Sequence, residues 1–231
     1  MSSQRIVVFG AGGRAGRAVV DRARRRGHQV TGVVRDPRRH ADLAQHAGTG
    51  VRIVAGDLTD GASVRTVAAG ADALVNAVTP FPAPPESFDG FDDAYYVRLV
   101  ENLARSDVAR IIEIGLAGTL RVGTTRMYQD DAVFPTFLRP FAEARVRGLT
   151  AWRDRSADWL VLTPPPELSL DAPATGRYQL APATLDPVLA AIPLSYADLA
   201  VAVLDQIESP TAHRDQVAVY ADGTHDRPQR V

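Results

Sequence analysis

The residues best suited to chemistry form one short run near the start of the chain: Gly10, Gly13 and Gly16, with Gly12, Arg14 and Ala15 among them. Glycines at this spacing let a backbone turn sharply and approach a ligand with no side chain in the way. The run follows Ile6-Val7-Val8-Phe9 and precedes the helical pattern Arg17-Ala18-Val19-Val20, so it reads as strand, tight turn and helix. In that setting the first N–H groups of the helix point into the turn, where they suit the pyrophosphate of a dinucleotide. The spacing is G-x-x-G-x-x-G, not the commoner G-x-G-x-x-G.

The composition removes several other chemistries. All 26 basic residues are arginine, so neither a Schiff base nor a lysine acid is available. There is no cysteine, which excludes disulfides, thiol nucleophiles and thiolate metal sites. The five histidines, His28, His40, His46, His213 and His225, fall on helices, strand starts or the tail, away from the strand ends. No His/Asp/Glu spacing suggests a metal. Ser106, Ser156 and Ser195 have no base beside them in sequence, and Glu113 lies inside a strand, where it reads as a paired structural carboxylate.

A net charge of −1 gives no broad basic surface for nucleic acid or membrane, and the arginines at 22 and 24–26 read as a solvated helix face. No apolar run reaches the ~18 residues of a membrane span, and no signal-peptide pattern opens the chain. The expected location is the cytoplasm, the expected partner a small molecule, and homodimerisation is left open.

The elements that must position the glycine turn alternate regularly. Residues 14–26 read as a helix closed by Gly27, 28–35 as a strand, and 38–47 as a helix opened by Asp36-Pro37. Strands follow at 51–55, 73–78, 110–115 and 159–163, with helices at 61–69, 91–106, 134–154 and 196–208. A short strand near 176–180 and a last one at 216–220 complete the pattern, and the tail from residue 222 reads as disordered. Such alternation implies a single α/β domain, a Rossmann-like doubly wound parallel sheet in the order 3-2-1-4-5-6. Small C-terminal insertions would bind the substrate, its pocket shaped by 79–89, 116–132 and 165–193.

In such sheets ligands sit at the carboxyl ends of the strands. Arg35 ends the second strand, where arginine suits a ribose 2′-phosphate and an acid would suit the 2′-hydroxyl. Arg14, Arg38 and Arg39 can join the same patch. Asp36, twenty positions past Gly16, could serve as the ribose acid, but a helix N-cap before Pro37 accounts for it. The balance favours NADP(H) over NAD(H). Asp57 and Leu58 follow the third strand, at the adenine edge, with Asp57 also able to cap the next helix. Asn76, Ala77 and Val78 would wall the pyrophosphate, and Gly115 and Pro164 would lie nearest the nicotinamide.

These stretches together resemble the NmrA-like, NAD(P)H-binding branch of the atypical short-chain dehydrogenase/reductases, which also holds flavin- and biliverdin-type reductases. The matching residues are G-A-G-G-R-A-G at 10–16, V-V-R-D-P at 33–37, G-D-L-T-D at 56–60 and A-D-A-L-V-N-A at 71–77. They continue in I-I-E-I-G at 111–115, W-L-V-L-T-P-P at 159–165, T-G-R-Y at 175–178 and L-S-Y-A-D-L-A at 194–200. The resemblance implies a Rossmann fold with NADP(H) at the strand ends named above.

One part of the family pattern is missing. Many short-chain dehydrogenases carry Tyr-x-x-x-Lys, the phenol acting as general acid and the ammonium lowering its pKa. Relatives of this branch often begin the corresponding helix F-P-x-x-Y-K, whereas this chain reads Phe134-Pro135-Thr136-Phe137-Leu138-Arg139. Leu138 stands for the phenol and Arg139 for the ammonium, so the catalytic residue is unknown. Tyr128, in the segment after the fifth strand, is the remaining phenol placed to serve, although packing explains it better. The sequence therefore supports an NADPH-dependent reductase whose acceptor, a flavin or quinone, draws its proton from solvent. The alternative is a non-catalytic NADP redox sensor of NmrA type, and a sugar epimerase or dehydratase comes third, since it also needs the tyrosine.

Overall fold

The structure, a computed structural model, describes residues 3–46, 50–81, 85–88 and 90–223. Its frame is an eight-stranded sheet in which strands and helices alternate along most of the chain. The first half runs β1 (Arg5–Phe9), α1 (Arg14–Arg25), β2 (Gln29–Val34), α2 (Ala41–His46), β3 (Val51–Ala55), α3 (Gly61–Ala68) and β4 (Ala73–Asn76). The second half runs α4 (Tyr95–Ala104), β5 (Arg110–Ile114), α5 (Arg139–Arg153), β6 (Asp158–Thr163), β7 (Tyr178–Pro182), α6 (Pro187–Ala190), α7 (Tyr196–Glu208) and β8 (Asp215–Ala221).

In these labels the strand order is β7-β8-β6-β5-β4-β1-β2-β3. The expected 3-2-1-4-5-6 order is therefore present, with every strand in it parallel to its neighbours. The sheet then extends beyond β6: β8 adds in parallel and β7 closes the edge antiparallel to β8.

Both faces are covered, so the strands are apolar on both sides. Ile6 and Val8 enter one core with Val19, Val20 and Ala23 of α1 and Leu199, Val203 and Ile207 of α7. Val7 and Phe9 enter the other, with Val64 of α3, Leu99 and Leu103 of α4, and Leu149 and Trp152 of α5. The arginine-rich end of α1 is only partly solvated. Arg24 and Arg25 pair with Asp21, but Arg26 reaches across to Asp205 and Glu208 of α7 and ties the two helices together. No helix among the described residues is long and apolar enough to cross a membrane.

Several boundaries differ from the sequence reading for local reasons. The helix expected over 134–154 begins at Arg139, because Pro135 precedes a separate 3₁₀ turn at Thr136–Leu138, and Pro140 occupies its first turn. The helix expected from 91 starts at Tyr95, after Asp92 has folded its carboxylate onto the Ala94 N–H. Asp222, expected in a disordered tail, pairs with Arg177, whereas residues 224–231 lie outside the described residues. Parts of the 79–89 segment, 82–84 and 89, also lie outside them.

Helices α4 and α5 pack closely at Gly148. A Cβ there would stand 2.7 Å from the Tyr96 Cβ, and Tyr96 is 1% exposed. Gly148→Val should force the helices apart and cost about 1–3 kcal/mol through overpacking, despite valine's better helix propensity. Denaturant unfolding of the variant against wild type measures this.

Candidate cofactor and active site

The glycine turn is built by close approach of backbones. Gly10 adopts φ +79°, which a side chain would strain, and a Cβ on it would lie 2.6 Å from the Ala77 carbonyl oxygen. A Cβ on Gly16 would run into the Gly10 carbonyl, 2.7 Å from its carbon. The Gly10 and Ala11 N–H groups both donate to the Val33 carbonyl at 3.2 Å, and Gly13 N–H donates back to Gly10 at 3.0 Å. The turn is thus held rigidly between β2, β4 and α1.

The start of α1 fits an anion. Gly13 is its N-cap and supplies no side chain, and no acidic residue stands in the first turn. The opening N–H groups of the helix therefore have no capping side chain, and its dipole favours negative charge. Arg14 is exposed beside them. This is the donor set that a pyrophosphate requires.

The other strand-end residues fall around the turn as follows. Arg35 is exposed at the end of β2, and Arg14, Arg35 and Arg39 make no ion pair among the described residues. Asp36 caps the 3₁₀ turn Pro37–His40: its carboxylate accepts from the Arg38 N–H at 3.0 Å and Nε at 3.3 Å. Asp57 does not cap α3, as its alternative reading expected. Asp60 does, accepting from the Ala62 N–H, while Asp57 Oδ1 accepts from the Thr59 N–H and hydroxyl. Leu58, expected to lie against an adenine ring, is 2% exposed and packs in the core. Asn76 Oδ1 accepts from the Val78 N–H at 3.0 Å and fixes the wall of residues 76–78 beneath Gly10. Gly115 N–H bonds the Leu162 carbonyl at 2.8 Å, and Pro164 is buried directly after β6.

Beneath the ends of β4 and β5 lies a buried polar cluster that the sequence reveals only through Glu113. Glu113 Oε1 accepts from Arg145 at 3.2 Å and Oε2 accepts from the Trp152 indole at 3.0 Å, which bears out its reading as a paired structural carboxylate. The Arg145 guanidinium also lies 4.0 Å over the Tyr96 ring, a cation–π contact. Burial pushes the Tyr96 phenol well above the usual tyrosine range, with Arg145 opposing it, so Tyr96 holds its proton. An i+4 relation to Phe141 on α5 was the available signal for Arg145, but such spacing also describes any inward helix face.

The positions of the missing catalytic pair are structural. Leu138 packs partly buried between two cores. Arg139, which could have reached ribose hydroxyls, is instead bound to the Asp131 carboxylate and lies 3.4 Å from the Gln129 carbonyl. Tyr128 sits half-buried beside Met127 and Phe134, in the packing role expected of it.

Of the three segments expected to shape a pocket, the described part of 79–89 packs on α5, and 116–132 meets 165–193. Phe81, Phe88 and Phe91 lay their rings on Phe141 of α5 at 5.1–5.9 Å between centroids. Residues 116–134 and 181–190 join through Arg121, which bonds Ala183 and Leu185 backbone groups, and through the shared apolar contact of Met127, Phe134 and Leu185. The described residues contain no cluster of His, Asp and Glu able to hold a metal. An open crevice of about 580 Å³, lined in part by Arg5, Thr31, Arg52 and Gly70, lies at the amino ends of β1–β3, opposite the glycine turn.

A parallel sheet with an uncapped glycine turn after β1 and ligand-facing groups at successive strand ends defines a dinucleotide-binding protein of the Rossmann class. The chain belongs to the NAD(P)H-binding family, whose model matches residues 10–210. It is 29% identical over 228 residues to the uncharacterised protein YwnB of Bacillus subtilis, covering 94% of this chain and 99% of that one. Among solved structures it resembles a protein provisionally named an NADH-flavin reductase from Streptococcus pneumoniae, with TM-score 0.77, 24% identity and 95% and 100% of the two chains covered. A short-chain dehydrogenase/reductase from Veillonella parvula solved with NADP has TM-score 0.69 at 17% identity, covering 99% and 100%. At these identities the structural likenesses carry the fold.

Removing Glu113 leaves the Arg145 guanidinium buried without its counter-charge. Glu113→Ala should therefore destabilise the fold by about 3–5 kcal/mol, and pairing it with Arg145→Met should recover a large part of the loss. Denaturant unfolding of the single and double variants reads both effects.

Proposed function

We propose that the protein is an NADPH-dependent reductase acting on a flat conjugated acceptor of the flavin or quinone class. The observation that carries this is a glycine turn with an uncapped helix start, together with Leu138 and Arg139, which stand where the family pattern expects a phenol and an ammonium. Leu138 has no proton to give, and Arg139 is committed to Asp131. When bound, the dinucleotide supplies a hydride. The chain's part is to hold donor and acceptor face to face, and water supplies the proton that a conjugated acceptor takes up after the hydride.

The named residues divide this work. The start of α1 holds the pyrophosphate, the 76–78 wall limits how deep it sits, and Gly115 and Pro164 leave a flat surface for the nicotinamide. The Arg35 end of the groove favours NADP, since a guanidinium matches a phosphate ester in charge and geometry. The name of the pneumococcal neighbour and the NADP complex of the Veillonella protein support the same reading.

The arrest of Arg139 in an ion pair favours a second reading, a redox sensor that binds NADP(H) and reports through a partner. Steady-state NADPH oxidation with FMN, riboflavin, a benzoquinone and an aldehyde separates the two. Turnover with the flavins or quinone but not the aldehyde is expected. No turnover with any acceptor, combined with affinities for NADP⁺ and NADPH that differ by more than about twofold, would sink the reductase and support the sensor.

Arg35→Ala should raise the dissociation constant for NADPH about tenfold or more, the scale of a lost charge-assisted contact, with little change for NADH. Fluorescence titration with both cofactors measures this, and equal losses would remove the 2′-phosphate assignment.

A further inference from the structure

His40 has no part in the site as the sequence presents it, yet the structure sets its imidazole on the glycine turn. Of the four turn glycines, Gly10, Gly13 and Gly16 face backbone, whereas Gly12 faces a side chain. Both ring nitrogens of His40 stand 2.7 Å from the point a Gly12 Cβ would occupy. The sequence placed this histidine on a helix, away from the strand ends; it ends the 3₁₀ turn that folds back from β2 over the cradle.

Arg17 fixes the arrangement. Its Nε donates to the Gly12 carbonyl at 2.9 Å, its other nitrogens hold the Asp42 carboxylate, and one of them lies 3.4 Å from His40 Nδ1. A guanidinium only donates, so Nδ1 meets it as an acceptor and the ring proton belongs on Nε2. No described residue accepts from Nε2. The imidazole thus offers one uncommitted N–H at the rim of the groove.

The surroundings select an anion for that donor. Arg14 at the turn and Arg35 and Arg39 after β2 are exposed and make no ion pair among the described residues. The segment's two carboxylates, Asp36 and Asp42, are held by Arg38 and Arg17. A bare ribose hydroxyl would want a carboxylate acceptor, whereas Asp42 gives both oxygens to Arg17 and Asp36 has Oδ1 engaged by Arg38. We infer that His40 is a ligand for the phosphate ester on the adenosine ribose, donating Nε2–H to a phosphate oxygen, and so helps determine the choice of NADP over NAD.

This rests on the assignment of NADP to the Arg35 end of the groove. Calorimetric titration of wild type, Arg35→Ala, His40→Ala and His40→Gln with NADP⁺, NAD⁺, adenosine 2′,5′-bisphosphate and 5′-AMP tests it. His40→Ala should weaken NADP⁺ and the bisphosphate about tenfold, the scale of one hydrogen bond to a charged group, and leave NAD⁺ and 5′-AMP within about twofold. His40→Gln, which keeps an N–H donor, should restore most of the loss. Equal weakening of all four ligands would mean that His40 merely props the turn, and no weakening of any would remove it from the site; either result overturns the inference. A wild type that binds NAD⁺ as tightly as NADP⁺ fails the NADP reading itself. Preference lost in Arg35→Ala but kept in His40→Ala leaves that reading standing and fails His40 alone.

Discussion

Three stretches of backbone meet at the end of β1 with no side chain between them, and most of the molecule's order follows from that contact. Gly10 lies on the Ala77 carbonyl, and Gly16 lies on Gly10 itself. The first contact fixes the height of the 76–78 wall relative to the turn. The second fixes the axis along which α1 leaves the sheet, and α1 in turn gives α7 its packing surface through Val19, Val20 and Ala23. A side chain at either glycine would displace backbone, which cannot rotate out of the way as a side chain can. The cradle and the core are therefore one construction.

The second organising fact is that every cation in the chain is a guanidinium. Arginine offers a planar fork of donors and suits bidentate or stacked partners. Arg145 uses it to bind Glu113 and lie on Tyr96, and Arg110 uses it to join the Gln206 and Ala212 carbonyls to Asp158. Arg139, at a position where relatives carry an ammonium, closes on Asp131 within its own segment. Proton exchange with a substrate is a poor task for such a group, whereas binding phosphate suits it well.

Much of this was legible in the sequence. The alternation of apolar runs and amphipathic stretches, with Gly27 and Asp36-Pro37 as punctuation, contains the parallel order 3-2-1-4-5-6, because each run is long enough to cross a sheet once. The residues following the strands were legible too, since ligands collect there by topology. What escaped were relations between distant positions. The antiparallel edge β7 is decided by pairing with β8, some forty residues away, and no local pattern carries that partner. Asp57 and Asp60 both suit an N-cap by type; only the backbone path selects Asp60. His40 read as one more polar residue on a helix, because its neighbour Gly12 lies far from it along the chain and near it only in the fold.

The bridge between residues 116–134 and 181–190 has a consequence for the order in which the molecule assembles. Strands β1 to β3 pair across 21 to 24 residues, and β4 returns to β1 across 67. The acceptor wall needs Arg121 to find Ala183, and it needs Gln216 to find Thr119 across a separation of 97 positions. Closing longer loops costs more chain entropy before any contact repays it. The β1–β3 pairings therefore close the shortest loops of the sheet, and the Gln216–Thr119 contact closes one of the longest. The glycine turn is thus framed by the shortest loops in the sheet, while residues 116–134 are tied to partners that arrive only near the end of the chain.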